Sequence, residues 1–299
     1  MRQRRQVGAY GLCRDDGRVL LVRGSAAAQF PAVWHLPGGV VPHGEHPAHA
    51  VLREVGEETG LTVEVTRLRA VLADVVPFPD ADVSLHTDRL AFDLAVTGGA
   101  LRDGPAGVTD SARWFTPREA AAVPLAPFTA ELLGLPVSPL PAGHAGSSSF
   151  PPLGDRRLRF AAYGLVTDPQ GRVLLTMIAE GYPGAGLWHL PGGGTDHGEQ
   201  PEPALVRELV EEAGQLGRVI ELMGVDNLHN PAAFGPEGRP LDWHGVRVIY
   251  RVVVETPTEA RVTEAAGGST ARAAWFTPDQ LDDLPLTEVA AWATGQRVG

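Results

Sequence analysis

The first half of this chain is written a second time. Gly17-Arg-Val-Leu-Leu-Val22 returns as Gly171-Arg-Val-Leu-Leu-Thr176, and Trp34-His-Leu-Pro-Gly-Gly39 returns as Trp188-His-Leu-Pro-Gly-Gly193, at one constant displacement. Tyr10-Gly-Leu12 matches Tyr163-Gly-Leu165, and His43-Gly-Glu45 matches His197-Gly-Glu199. Trp114-Phe-Thr-Pro117 matches Trp275-Phe-Thr-Pro278 after a longer intervening segment. Solenoid repeats run to a few tens of residues, so a period this long marks a duplicated globular domain. The chain of 299 residues is accordingly divided into domain 1 over 1–137, a Pro/Gly/Ser-rich linker over 138–154 and domain 2 over 155–299.

Each half mixes helix and strand patterns. Arg18 to Val22, Arg89 to Val96 and Val246 to Val254 are rich in Val and Leu and read as strands, whereas Pro47 to Thr59 and Pro201 to Ala213 read as helices. Proline lies in the first turn of each helix, and Gly60 and Gly214 follow their ends, which is favourable start and stop chemistry.

On the first helix Ala48, Val51, Leu52 and Val55 share one arc, while Glu54, Glu57 and Glu58 occupy another side at spacings of three and four. The second helix repeats the design, with Leu205, Val206, Leu209 and Ala213 inward against Glu208, Glu211 and Glu212. Three neighbouring carboxylates repel one another unless solvent or cations neutralise them. A hard divalent ion suits such an all-oxygen cluster: Mg²⁺ is expected, with Mn²⁺ the alternative. Arg53 and Arg207 stand one turn before Glu57 and Glu211, where each can orient a metal-binding carboxylate. Gly38, Gly39, Gly192 and Gly193 carry no side chain to block substrate or the helix, which makes them candidate substrate-binding positions.

Gly39, Glu45 and Arg53-Glu-Val-Gly-Glu-Glu-Thr-Gly-Leu61 together resemble the Nudix box, over 39–61, with every family-specified position filled. Gly193, Glu199 and Arg207-Glu-Leu-Val-Glu-Glu-Ala-Gly-Gln215 resemble it again over 193–215, except that Gln215 stands where the family has an aliphatic residue; Leu216 is expected to take that packing role. The resemblance implies an α+β fold in each half, a mixed sheet sandwiched between helices. It also implies that the box helices hold metal, with Arg53, Glu54, Glu57, Glu58, Arg207, Glu208, Glu211 and Glu212 as the catalytic set and their six glutamates as ligands.

The expected reaction is metal-dependent hydrolysis of a phosphoanhydride bond in a nucleoside diphosphate derivative, ADP-ribose or a nucleotide sugar, or in a nucleoside triphosphate. Pro77 and Pro231 each lie sixteen residues beyond their box, a spacing similar to that of ADP-ribose-cleaving members. The alternative is a nucleotide sensor with one silent domain, and a non-hydrolytic isomerase is a third use of the fold. Family members often form homodimers, so the two halves are expected to pair as an intramolecular pseudo-dimer.

Composition excludes other classes. A net charge of -11 opposes nucleic acid as a partner. All basic residues are arginine, so Schiff-base and P-loop lysines are absent. The single Cys13 forms no intramolecular disulfide, and no apolar run reaches bilayer-spanning length; a soluble cytoplasmic protein is expected. Outside the boxes, His35, His43, His189 and His197 lie near the glycine loops within reach of phosphate or base. Arg23 is a phosphate candidate in the first half alone, since Met177 replaces it in the second; Asp110 lies where a catalytic base outside the helix could stand, again in the first half alone, and that base stays open.

Overall fold

The computed structural model describes residues 1–28, 31–103, 109–139, 150–234, 238–263 and 268–296. In the first half β1 (Arg2–Asp15), β2 (Arg18–Gly24), β3 (Trp34–His35) and β4 (Gly38–Val40) lead into α1 (Pro47–Thr59), followed by β5 (Leu61–Phe78), β6 (Val83–Gly99), β7 (Thr109–Phe115), α2 (Pro117–Ala120) and α3 (Pro127–Leu132). The second half repeats the order as β8 (Arg156–Thr167), β9 (Val173–Ile178), β10 (Trp188–His189), β11 (Gly192–Gly194), α4 (Pro201–Ala213), β12 (Arg218–Phe234), β13 (Pro240–Val253), β14 (Thr270–Phe276), α5 (Pro278–Leu281) and α6 (Glu288–Thr294).

Each half builds a mixed sheet of one topology. The first runs β3-β2-β1-β6-β5, with β4 added to β1 and β7 to β2; the second runs β10-β9-β8-β13-β12, with β11 on β8 and β14 on β9. β1 lies parallel to β6 from Arg2 opposite Val83 to Cys13 opposite Leu94. A parallel pair needs a crossover, and α1 lies within the connection that supplies it. This is the α+β architecture expected from the box resemblance.

Two compact units result: Met1–Leu158 with Asn227–His244, and Arg159–Asp226 with Gly245–Gly299. Residues 227–244 belong by sequence to the second repeat, yet group with the first unit. They include the last part of β12 and the first part of β13, strands of 17 and 14 residues. Residues 140–149 of the expected linker lie outside the described residues. Among the described residues no helix is long and apolar enough to cross a membrane.

The cores repeat as the sequence does. Leu12, Val19, Leu21, Trp34 and Leu36 cluster in the first unit, and their counterparts Leu165, Val173, Leu175, Trp188 and Leu190 cluster in the second. In each, the repeated tryptophan meets a phenylalanine edge-on, Trp34 with Phe115 and Trp188 with Phe276, at 4.7 Å between ring centres. Trp114-Phe115 and Trp275-Phe276 therefore close β7 and β14 over the core through their phenylalanines.

Both box helices begin and end where the sequence places them. His46 Nδ1 accepts from the Ala48 amide at 3.1 Å and Pro47 opens α1; Gly60 at φ 72° and Gly214 at φ 63° close the two helices in the left-handed region. The buried faces differ in detail from the sequence arcs. Ala50, Val51 and Val55 are covered on α1, and Ala204, Leu205, Leu209 and Ala213 on α4, whereas Ala48, Leu52 and Val206 are only half covered. Glu58 and Glu212 belong to the buried faces. A helical wheel groups them with Glu54 and Glu57, but glycine strands covering that edge leave less of the helix in solvent.

Candidate functional site

The two boxes form the same cluster. β4 pairs antiparallel with β1, placing Gly38 opposite Tyr10, and β11 pairs with β8 with Gly192 opposite Tyr163. Gly38 and Gly192 have φ of +135° and +134°, and a Cβ on either would lie 2.2 Å from the carbonyl oxygen of Ala9 or Ala162. Only glycine fits both the dihedral and the space. At this approach the Gly38 amide donates to Glu58 Oε2 at 2.8 Å, and the Gly192 amide to Glu212 Oε2 at 2.9 Å. The last glutamate of each box thus ties its helix to the glycine strand.

Gly39 and Gly193 serve the first glutamates. A Cβ on Gly39 would stand 3.3 Å from the Glu54 carboxyl carbon, and one on Gly193 would stand 2.6 Å from Glu208 Oε1. The bare strand therefore leaves the room that each carboxylate occupies.

One arginine organises the rest. Arg53 gives Nε and Nη2 to the two oxygens of Glu45 at 3.1 and 2.9 Å, while Nη1 reaches Glu54 at 2.8 Å and Glu57 at 3.3 Å. Arg207 repeats this with Glu199 at 3.0 Å twice, Glu208 at 2.9 Å and Glu211 at 3.2 Å, and adds the Gly194 carbonyl at 3.2 Å. The planar fork suits bidentate carboxylate pairing. The mutual pairing pushes both guanidinium pKa values further up, with the hydrogen bonds donated to Glu45 and Glu199 leading.

Burial sets the electrostatics of the last carboxylate. Loss of solvent raises Glu58 to about 8; the Gly38 amide and the Thr109 hydroxyl oppose the shift, and the neighbouring Glu54 charge adds to it. Glu208 is raised by its own desolvation against the pull of Arg207. Glu57 and Glu211 stand more open, with side chains 58% and 38% exposed. Each cluster thus offers carboxylate oxygens graded from buried to open, beside the glycine strand and with the Arg53 or Arg207 guanidinium among them. Such a donor set fits a hard divalent cation, which takes oxygen ligands and retains water on its open side.

All twelve residues expected at the sites from sequence fall in these two clusters. Others that touch them were not expected there, Gly194 through its carbonyl among them. Glu45 and Glu199 are box positions whose role as arginine partners depends on how the turn before each helix folds back. Thr109 hydrogen-bonds Glu58, and Thr270 donates to Glu212; both begin the strand after a long, dissimilar segment, and no local pattern marks them.

The remaining candidates go elsewhere. His35 is buried beside the Leu36 carbonyl, with Nδ1 at 2.8 Å, and desolvation holds its pKa down to about 4. His189 contacts Thr287 Oγ1 at 2.6 Å and is held to about 3 by the same cause. His43 and His197 sit in the turns before α1 and α4. Arg23 pairs with Asp110 at 2.7 Å, so the phosphate candidate and the outlying acid hold each other. Leu216 is 78% exposed and does not take the packing role expected of it. Gln215 itself is buried, donating Nε2 to the Ala213 carbonyl and Thr258 Oγ1, both at 2.9 Å, and accepting from the Thr258 amide at 3.1 Å.

Comparison with known proteins agrees with this duplication. The NUDIX domain family model matches residues 2–134 and again 157–294. An ADP-ribose pyrophosphatase of Methanocaldococcus jannaschii is 37% identical over 98 residues, covering 33% of this chain and 55% of that one. An oxidized purine nucleoside triphosphate hydrolase of Mus musculus is 36% identical over 129 residues, covering 42% and 68%. This chain spans 55%, 60% and 34% of the lengths of three curated relatives that it matches. Among solved structures, a MutT NUDIX hydrolase from Burkholderia pseudomallei is 29% identical, with a TM-score of 0.36 over 47% of this chain and 98% of that one. With two matched segments that together span most of its length, the chain belongs to the NUDIX family as a tandem of two NUDIX domains.

Proposed function

We propose that the protein is a divalent-metal-dependent hydrolase of phosphoanhydride bonds in nucleoside diphosphate derivatives, with ADP-ribose or a nucleotide sugar favoured over a nucleoside triphosphate. The observation that carries this reading is that both halves build the same cluster, from the arginine fork to the glycine-bound last glutamate. Glu54, Glu57 and Glu58, and Glu208, Glu211 and Glu212, would hold Mg²⁺ or Mn²⁺. When bound, such an ion supplies Lewis-acid stabilisation of charge on phosphate oxygens and acidifies water.

The chain's own groups do the rest. Arg53 and Arg207 fix the ligand carboxylates in place, a role whose loss in metal sites typically weakens binding or activity by about 10–100-fold. Gly39 and Gly193, which carry no side chain, let the Glu54 and Glu208 carboxylates lie directly against the strand. Glu54 and Glu208 lie against the glycine strands and would take a proton from an attacking water.

Substrate preference draws on two weaker supports. The M. jannaschii relative is named for ADP-ribose, and Pro77 and Pro231 occupy matching exposed positions on β5 and β12. The test is product identification from ADP-ribose, nucleotide sugars, dinucleoside polyphosphates and nucleoside triphosphates with Mg²⁺ or Mn²⁺. Release of AMP and ribose phosphate from ADP-ribose, faster than any release from triphosphates, is expected. Faster turnover of a triphosphate would overturn the substrate preference, and tight binding without turnover of any compound would replace the hydrolase with a sensor.

A further inference from the structure

Away from both glutamate clusters, the first unit gathers three histidines and an aspartate around the turn Pro42–Glu45. His43 Nε2 and His229 Nε2 both face Asp242 Oδ1, at 3.2 and 2.8 Å. One ligand atom from each of these three residues lies within 4.8 Å of the others. The rings of His43 and His229 stand nearly perpendicular, with centres 5.6 Å apart.

The fourth member has a different part. The Gly44 amide donates to His244 Nδ1 at 3.1 Å, so the proton of this imidazole lies on Nε2 and goes to Asn227 Oδ1 at 2.7 Å. Both nitrogens of His244 are committed, and the residue fixes the turn that carries His43. Gly44 has φ +86°, and a Cβ there would stand 2.7 Å from the His229 ring. The turn is thus shaped to let His229 in. Asp242 directs its second oxygen towards Arg156 at 3.7 Å, while Oδ1 faces both imidazoles and its backbone carbonyl lies 3.1 Å from His43 Nε2.

We propose that His43, His229 and Asp242 form a binding site for a first-row transition metal of the Zn²⁺ class, separate from the Mg²⁺-type clusters on the box helices. Two imidazoles and one carboxylate are the ligands such ions prefer, whereas Mg²⁺ prefers oxygen throughout. Coordination through each Nε2 needs that nitrogen free of a proton, with the imidazole proton on Nδ1. Water completes the coordination, since the side chains of His43, Asp242 and His229 remain 12%, 22% and 34% exposed. The bound ion clamps the 227–244 segment to the turn before α1. That turn also carries Glu45, the partner of Arg53, so occupancy steadies the arginine fork of the first cluster.

The test is Zn²⁺ uptake by the full chain, measured by equilibrium dialysis with metal analysis in a large excess of Mg²⁺. One Zn²⁺ per chain is expected to resist the excess, and to persist in a variant with Glu57, Glu58, Glu211 and Glu212 all changed to Gln. His229→Gln and Asp242→Asn, each checked for an unchanged thermal unfolding transition without metal, should weaken uptake by roughly 100-fold, at or beyond the usual cost of losing a ligand's supporting partner. No Mg²⁺-resistant uptake, uptake lost in the glutamate variant, or uptake unchanged in both His229→Gln and Asp242→Asn would each overturn the site.

Discussion

Arg53 is the residue on which the first cluster turns, because one guanidinium serves Glu45, Glu54 and Glu57 together. Lysine keeps the charge but cannot reproduce the bidentate fork. Arg53→Lys is therefore expected to weaken metal affinity or turnover in the first domain by roughly 10–100-fold with little loss of stability, read by metal titration against thermal unfolding. Glu58 makes a separate prediction about pH. Its folded value of about 8 lies above that of an unfolded glutamate, so between roughly pH 4.5 and pH 8 the folded, metal-free protein holds a proton that the unfolded chain has released. Stability in that window falls as pH rises, by at most ~1.4 kcal/mol per pH unit, and levels off above pH 8. Glu58→Gln should flatten this part of the metal-free profile in denaturant titrations, and an unchanged slope would show that the group is ionised well below pH 8.

At the scale of elements, the glycine strands and helix ends carry the geometry. Gly38→Ala places a Cβ 2.2 Å from the Ala9 carbonyl at a dihedral that L residues rarely adopt. It should cost about 3 kcal/mol or more and displace Glu58, observed as a lower denaturation midpoint together with weakened metal binding. Gln215→Leu restores the aliphatic residue of the first box but strands the groups that Gln215 satisfies. A cost of about 1–3 kcal/mol is expected, so a stabilised variant would contradict the reading of Gln215 as a satisfied buried polar residue.

The helices were legible in the sequence to their end residues, because Pro47, Pro201, Gly60 and Gly214 punctuate them locally. The placement of Glu58 and Glu212 was not, since their burial depends on β4 and β11 covering one edge of each helix. The same holds for Thr109 and Thr270, which reach the site only through sheet pairing. The Leu216 expectation failed for a related reason. Gly214 turns the chain so that Gln215 faces inward, and Thr258, 43 residues away, supplies the partner that makes its burial tolerable.

For the whole molecule, duplication explains more than any single element. Two topologically equal sheets, two tryptophan-centred cores and two arginine-organised clusters came from one repeated pattern that the sequence displays openly. What the repeat did not disclose is the assignment of 227–244 to the first unit, because the sequence marks only Val246 to Val254 as strand there, and neither β12 nor the start of β13 carries a local signal. The segments Val75 to Asp80 in one half and Leu228 to Ala232 in the other are where the two repeats depart most from each other in sequence. The most direct measurement is metal-dependent turnover of the preferred substrate by four proteins: the unaltered chain, the Glu57→Gln/Glu58→Gln pair, the Glu211→Gln/Glu212→Gln pair, and all four substitutions combined. Each pair should remove the activity of its own domain, and the combined variant should be folded and without metal-dependent turnover. Turnover at the unaltered rate in the combined variant would contradict the account.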